Sequence, residues 1–133
     1  PALRMVIAQR LIRETCDKCM EFRKPTPEEL KKLKKTLEDL PEKVEKPEIN
    51  DNIKIPDARG CDYCNNTGYR GRTAIFEAFT VDEEIEQLIL EEPSITELRN
   101  KIQEKGMVTM KQDGFLKVLK GQSTIEEVER ITG

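Results

Sequence analysis

The chain contains no histidine. Within it, a catalytic imidazole, a Cys–His nucleophile pair and a mixed cysteine/histidine metal shell are all excluded. Tryptophan is absent, aromatics are 5% of the 133 residues and apolar residues only 36%, against 37% charged. A chain this lean in apolar residues buries a modest core, and a covalent or metal staple helps it. No apolar run approaches the roughly 20 residues that span a bilayer. The net charge of −3 does not favour general nucleic-acid binding through a basic surface. No Gly-x-x-x-x-Gly-Lys-Ser/Thr segment occurs, so the phosphate-cradling loop that such a segment builds is missing. Acidic residues are plentiful but fall on expected solvent faces of helices, with no apolar carboxylate pocket for general acid–base work. No segment repeats at a fixed period or is low in complexity.

Four cysteines stand out in this setting. They form two matched pairs, Cys16-x-x-Cys19 and Cys61-x-x-Cys64. Thiolates two residues apart grip one ion from a tight turn, and two such pairs supply a closed tetrahedral shell. A closed shell leaves no position for a reactive water, which points to a structural metal. Four thiolates suit zinc and also iron. Disulfides and a redox dithiol use the same spacing. Without secretory features, the pairs fit a reducing cytoplasm and a metal better than disulfides, and two equivalent pairs fit a shared ion better than one reactive dithiol. Lys18, Arg13, Arg59, Arg70 and Arg72 lie close to the pairs in sequence and are expected, with backbone amides, to offset the −2 charge of a tetrathiolate zinc. Closing the loop of residues 20–60 costs only about 3 kcal/mol plus a constant, against about 10–16 kcal/mol for structural zinc in small peptides.

Along the chain, residues 3–13 fit either a helix or a β-branched strand. Thr26-Pro27-Glu28-Glu29 is a helix start with a capping box, followed by Leu30, Leu33, Leu37 and Leu40 at helical spacing. Lys31, Lys32, Lys34 and Lys35 occupy the opposite, solvated face. Pro41 ends the helix, and residues 41–57 read as an extended linker closing on a short strand at Ile53–Ile55. That strand is expected to pair with a second at Thr73–Phe79. Gly60, Gly68, Gly71 and Asn65 allow the left-handed turns of a metal knuckle. Beyond residue 80, Thr80/Glu83, Ser94/Glu97, Thr109/Gln112 and Ser123/Glu126 are spaced as capping boxes for four helices, with Gly106 and Gly121 placed as C-terminal caps. The expected fold class is α+β and mostly helical, with a small zinc-ribbon-like β element and a C-terminal helical unit. The helices beyond residue 82 are expected to keep much of their structure when the metal region is loosened.

Three segments together carry a family resemblance: AQRLIR (8–13) leading into Cys16-x-x-Cys19, GCDYCNNTGYRGR (60–72) running into TAIFEAF, and GFLKVLKGQSTIEEVERIT (114–132). This combination resembles the C-terminal end of the secretion-superfamily ATPases, the type II secretion and type IV pilus extension motors. Ala74 and Phe76 stand where members usually carry glycine and tyrosine, and both keep strand character. The resemblance implies a parent that is a cytoplasmic hexameric P-loop ATPase at the inner face of the inner membrane, driving pilus or pseudopilus assembly through an inner-membrane platform protein. It implies neighbouring hexamer subunits and the rest of the parent as partners, with no nucleic acid and no direct membrane insertion. The parent's ATP and Mg²⁺ site lies upstream, so the fragment itself is expected not to hydrolyse ATP and to hold no catalytic residue. What carries over is one structural Zn²⁺ on Cys16, Cys19, Cys61 and Cys64. Retraction ATPases lack this module, which leaves the secretion and extension branches, too alike here to separate.

The implied organisation is residues 1–15 as the tail of the upstream ATPase domain, 16–80 as a tetracysteine metal-binding module and 81–133 as a helical subdomain. The alternative is a free-standing zinc-ribbon adaptor. Cys61 to Gly68 is similar to one repeat of the cysteine-rich module of DnaJ-type chaperones. Only one copy is present, with Asn66 at the first glycine position of that repeat.

Overall fold

A computed structural model describes residues 2–133. The first long element is a strand, β1 (Met5–Thr15), not a helix. It runs antiparallel to β4 (Tyr69–Thr80), in register from Met5 opposite Thr80 to Arg13 opposite Arg72. The register then shifts so that Thr15 faces Tyr69. The extra residue falls on β4 beside Gly71, whose φ of +85° suits a bulge. Between these strands the chain forms β2 (Glu21–Arg23), α1 (Pro27–Glu38) and β3 (Ile55–Asp57). After β4 come α2 (Glu83–Leu90), α3 (Ile95–Glu104), α4 (Met110–Leu119) and α5 (Ile125–Thr132). The α+β class, with a mostly helical chain, small antiparallel sheets and a cysteine cluster, is as the sequence implies.

The expected pairing of Ile53–Ile55 with Thr73–Phe79 is not formed. Among the described residues β3 pairs with β2, Arg23 facing Ile55 and Glu21 facing Asp57. β4 is engaged by β1 over nearly its whole length, and away from β1 the amide of Phe76 donates to the Asp113 carboxylate of α4 at 2.9 Å. Pro56 lacks an amide donor and suits a short two-stranded edge.

The caps follow the sequence at three helices and depart from it at two. Full capping boxes form at Thr26/Glu29, Ser94/Glu97 and Thr109/Gln112. For α2 the cap is Asp82 rather than Thr80, because Thr80 still belongs to β4. For α5 it is Thr124 rather than Ser123. Ser123 is buried and donates from Oγ to the Arg13 carbonyl at 2.8 Å, tying α5 to β1.

One face of the β1–β4 ribbon is covered. Ile12 and Ile75 point inward and join Leu33, Leu37 and Leu40 of the α1 region, Ile55 of β3, and Phe115, Val118, Ile125 and Val128 of α4 and α5 in the principal core. That core draws on residues before 16, between 16 and 80, and beyond 81. The stretch at 41–54 is less a free linker than a strap, since Val44, Ile49 and Ile53 pack against the same core. Val81, Ile85, Ile102 and Met107 form a smaller second core under α2 and α3. Gly114 lets α4 and α5 touch: a Cβ there would lie 2.5 Å from a methyl of Val128. The outer face of the ribbon is open and apolar, with Met5, Ile7, Leu11 and Phe76 exposed.

Candidate metal centre

Two turns deliver the four thiols to one point. The first follows β1. Cys16 is fully buried, its amide donates to the Gly68 carbonyl at 2.9 Å, and its carbonyl accepts from Met20 at 2.9 Å, so residues 16–20 close a turn that presents Cys19. The second follows β3. Cys61 is extended, Asp62–Cys64 form one tight helical turn, and Asn65 (φ 54°, ψ 39°) reverses the chain in the left-handed region. The Asn66 amide closes back on the Cys61 carbonyl at 2.8 Å. Gly68 (φ +82°) packs so closely that a Cβ would sit 2.8 Å from Ala58 Cβ. The hydrogen bond from Cys16 to Gly68 stitches the two turns together before any ion is considered.

The sulfurs stand 3.8 Å apart for Cys16–Cys61, 3.9 Å for Cys19–Cys64 and 3.8 Å for Cys61–Cys64. All four ligand atoms lie within 4.8 Å of one another. A tetrahedron with metal–sulfur bonds of about 2.3 Å has edges of about 3.8 Å. The donor set and its spacing thus fit a tetrathiolate ion. Such separations are far beyond the roughly 2.05 Å of a disulfide, and all four cysteines are free thiols.

Backbone amides supply the polar contacts to sulfur. Gly60 N–H donates to Cys19 Sγ at 3.2 Å, and Cys64 Sγ accepts from Cys61 N–H at 3.3 Å and Gly68 N–H at 3.2 Å. Burial alone would push the Cys64 thiol up, but those two amides and the neighbouring Cys61 and Cys19 thiols bring it down to about 6. Cys19 goes the other way. The Gly60 amide lowers it, yet burial and the three other sulfurs prevail and push it up to about 12. Cys64 thus takes a negative charge readily while Cys19 resists one, a conflict that a bound cation removes.

The cations expected to offset thiolate charge are engaged elsewhere. Arg59 pairs with Glu21 and Asp57. Lys18 and Arg70 lie against the Tyr63 ring, at 5.3 and 4.1 Å from its centre, so side chains of the first turn and of β4 meet on an aromatic of the second turn. Arg13, Arg70 and Arg72 line a groove with Arg130 that none of the four cysteines borders. The N–H donors to sulfur all come from the second turn and its flanks, Gly60, Cys61 and Gly68, and one of them reaches across to Cys19 of the first.

Sequence reasoning did not single out Glu127. Its side chain is fully buried, and its carboxylate accepts from the Arg13 amide (2.7 Å), the Arg13 guanidinium (2.9 Å) and both Nε and Nη2 of Arg130 (2.8 and 3.0 Å). Burial raises this carboxyl's pKa, but the two arginines and the amide outweigh it and hold the group at about 2. Arg13 also stacks on Tyr69, whose hydroxyl is 2.8 Å from Thr124 Oγ1. This network clamps α5 to the end of β1 that leads into Cys16. In sequence Glu127 is one of two adjacent glutamates in a first helical turn, and nothing local distinguishes it from Glu126.

Residues 1–130 match the family model described as Type II/IV secretion system protein. The chain is 39% identical to the Type IV pilus assembly ATPase PilB of Thermus thermophilus, over 96% of this chain and 13% of that protein. It is 36% identical to the Type II secretion system protein E of Aeromonas hydrophila, over 98% of this chain and 24% of that one. The Type II secretion system ATPase E of Vibrio cholerae is also 36% identical, over 96% of this chain and 23% of that one. The chain therefore spans between 13% and 24% of the length of these relatives.

Proposed function

The chain belongs to the Type II/IV secretion system protein family, and from that we propose that it is the C-terminal zinc-binding structural and docking region of a hexameric ATPase powering type II secretion or type IV pilus assembly. Cys16, Cys19, Cys61 and Cys64 are the zinc ligands. A bound zinc supplies a crosslink and no reactive position, since all four of its sites are filled by thiolates. This chain's own residues do the rest. The amides of Gly60, Cys61 and Gly68 orient the sulfurs, and the Glu127 clamp holds β1 so that Cys16 meets the second turn. The ATP and Mg²⁺ site belongs to the upstream part of the parent, and this region holds no catalytic residue of its own.

Residues 1–15 are read as the tail of that upstream domain, 16–80 as the metal module and 81–133 as the helical subdomain resting on it. The exposed apolar outer face of β1–β4 supports an upstream neighbour, because a lone two-stranded ribbon is marginal in water. The motor acts at the inner face of the inner membrane through a platform protein. No helix among the described residues is long and apolar enough to cross a membrane.

The observation that carries this reading is the tetrahedral spacing of four sulfurs in a chain of this family. The test is native mass spectrometry of the chain purified in reducing buffer with zinc and iron both supplied, alongside an ATP hydrolysis assay. One zinc per chain and no hydrolysis are expected. A metal-free chain with intact tertiary structure, or ATP turnover by the chain alone, would overturn it.

A further inference from the structure

The two most exposed large apolar side chains among the described residues sit together at the junction of α2 and α3. Ile95 is 83% exposed and Leu90 75%, with Ile89 beside them. Glu86, Glu91 and Glu92 flank this tip in the chain. Asp82 and Glu84 at the start of α2 pair with Lys101 and Lys105, but those three glutamates enter no ion pair among the described residues. Glu91 caps the C-terminal end of α2, whose last turn holds no basic residue. Carbonyls at a helix C-terminus add to the negative potential. The tip therefore joins exposed apolar surface to negative charge that the fold leaves unbalanced.

The complementary character lies on α1. Lys31, Lys34 and Lys35 fall three and four residues apart and share one exposed face. With Pro27, Leu30 and a single carboxylate, Glu38, they line a shallow depression of about 580 Å³. Lys32 pairs with Glu129, whereas these three lysines enter no ion pair among the described residues. Within one molecule the two patches do not meet. Thr36 and Asp39 at the end of α1 share a groove with Asn100, Gln103 and Glu104 at the end of α3. The tip is at the other end of α3, whose 10 residues measure about 15 Å.

We propose that the α2–α3 tip docks on the Lys31–Lys34–Lys35 face of α1 in a second copy of this chain. The lysine stems cover Leu90 and Ile95 while their ammonium groups reach Glu86, Glu91 and Glu92. The two patches differ, so the contact is heterologous, and its repetition closes a ring or runs on as a filament. This names the surfaces of the neighbouring-subunit contact proposed above and rests on that reading only for the expectation of a ring.

The test is sedimentation velocity of the metal-loaded full chain in reducing buffer, at concentrations up to about 1 mM to capture a weak interface. Concentration-dependent association that weakens with salt is expected. The variants E86K/E91K/E92K and K31E/K34E/K35E, each alone, are expected to weaken it on the order of tenfold. Mixing the two restores it, because each reversed patch then meets its complement. Leu90→Ser with Ile95→Ser, both at the surface, also weakens it without any change of charge. A monomer at every concentration overturns the proposal, as does a mixture that fails to restore association. An effect of the tip variant without one of the α1 variant means a symmetric tip-to-tip contact and overturns it too. Metal content is measured on the same samples. A wild-type chain that holds one zinc and stays monomeric overturns this docking alone, whereas a folded chain without metal overturns the function proposed above.

Discussion

Replacing Glu127 by Gln is the most direct probe of the clamp between β1 and α5. The carboxylate is buried and takes four hydrogen bonds, three of them from guanidinium groups. Its pKa of about 2 in the folded chain, against an ordinary glutamate value of 4.5, corresponds to about 3 kcal/mol of stability at neutral pH. Arg13 and Arg130 are about half exposed and recover hydration when the partner is lost, so the expected cost of Glu127→Gln is about 2–3 kcal/mol. Arg130→Ala removes only the exposed end of the network and is expected to cost about 1 kcal/mol. The double variant should cost less than the sum of the two. Urea unfolding of the metal-loaded protein at pH 7 reads these values. A cost below about 0.5 kcal/mol for Glu127→Gln, a typical surface value, would refute the idea that this buried charge anchors α5.

The pH dependence follows from the same depressed groups. Glu29 is also lowered to about 2, chiefly by its hydrogen bond to Arg23. A carboxyl lowered on folding stabilises the native state above its unfolded pKa, and the gain is lost as pH falls from about 4.5 towards 2. The stability difference between wild type and Glu127→Gln should therefore shrink on acidification, and a difference that grows would contradict the assignment. Cys61→Ser is expected to abolish stoichiometric metal binding and to reduce hydrogen-exchange protection first at residues 16–23 and 55–72, with α2 and α3 on their separate core affected least. Gly114→Ala is expected to cost about 1–3 kcal/mol through the clash with Val128, and Val128→Ala in the same chain should recover part of it, as chemical denaturation would show. Gly68→Ala meets both a positive φ and the Ala58 backbone. It should lower metal affinity while leaving the second core intact, measured by competition with a chromogenic chelator.

The pairing of the cysteines was legible because ligand spacing is local. Cys-x-x-Cys can present two sulfurs from one turn wherever the turn sits, and the absence of histidine narrowed the soft ligands to four. The leucine stripe of α1, the box at Thr26 and the caps at Ser94 and Thr109 were legible for the same reason, since helical periodicity and capping act within four residues. Thr80 and Ser123 satisfied the same pattern and were used otherwise. Thr80 is held in β4 by its pairing with Met5, and Ser123 is held by the Arg13 carbonyl. Both partners are more than 70 residues away in sequence, beyond the reach of any local rule.

By itself, the sequence determined which atoms could hold a metal, where most helices begin and that the chain lacks the residues of a phosphate loop. Only the tertiary structure decided that β4 pairs with β1 rather than with the segment at 53–55, that amides instead of cations face the sulfurs, and that Glu127 is buried between two arginines. The physical reason is one of range. Capping and metal-ligand spacing are set by bonds to near neighbours along the chain, whereas strand partnership and the burial of a charge depend on which distant segments compete for the same hydrogen bonds and the same core.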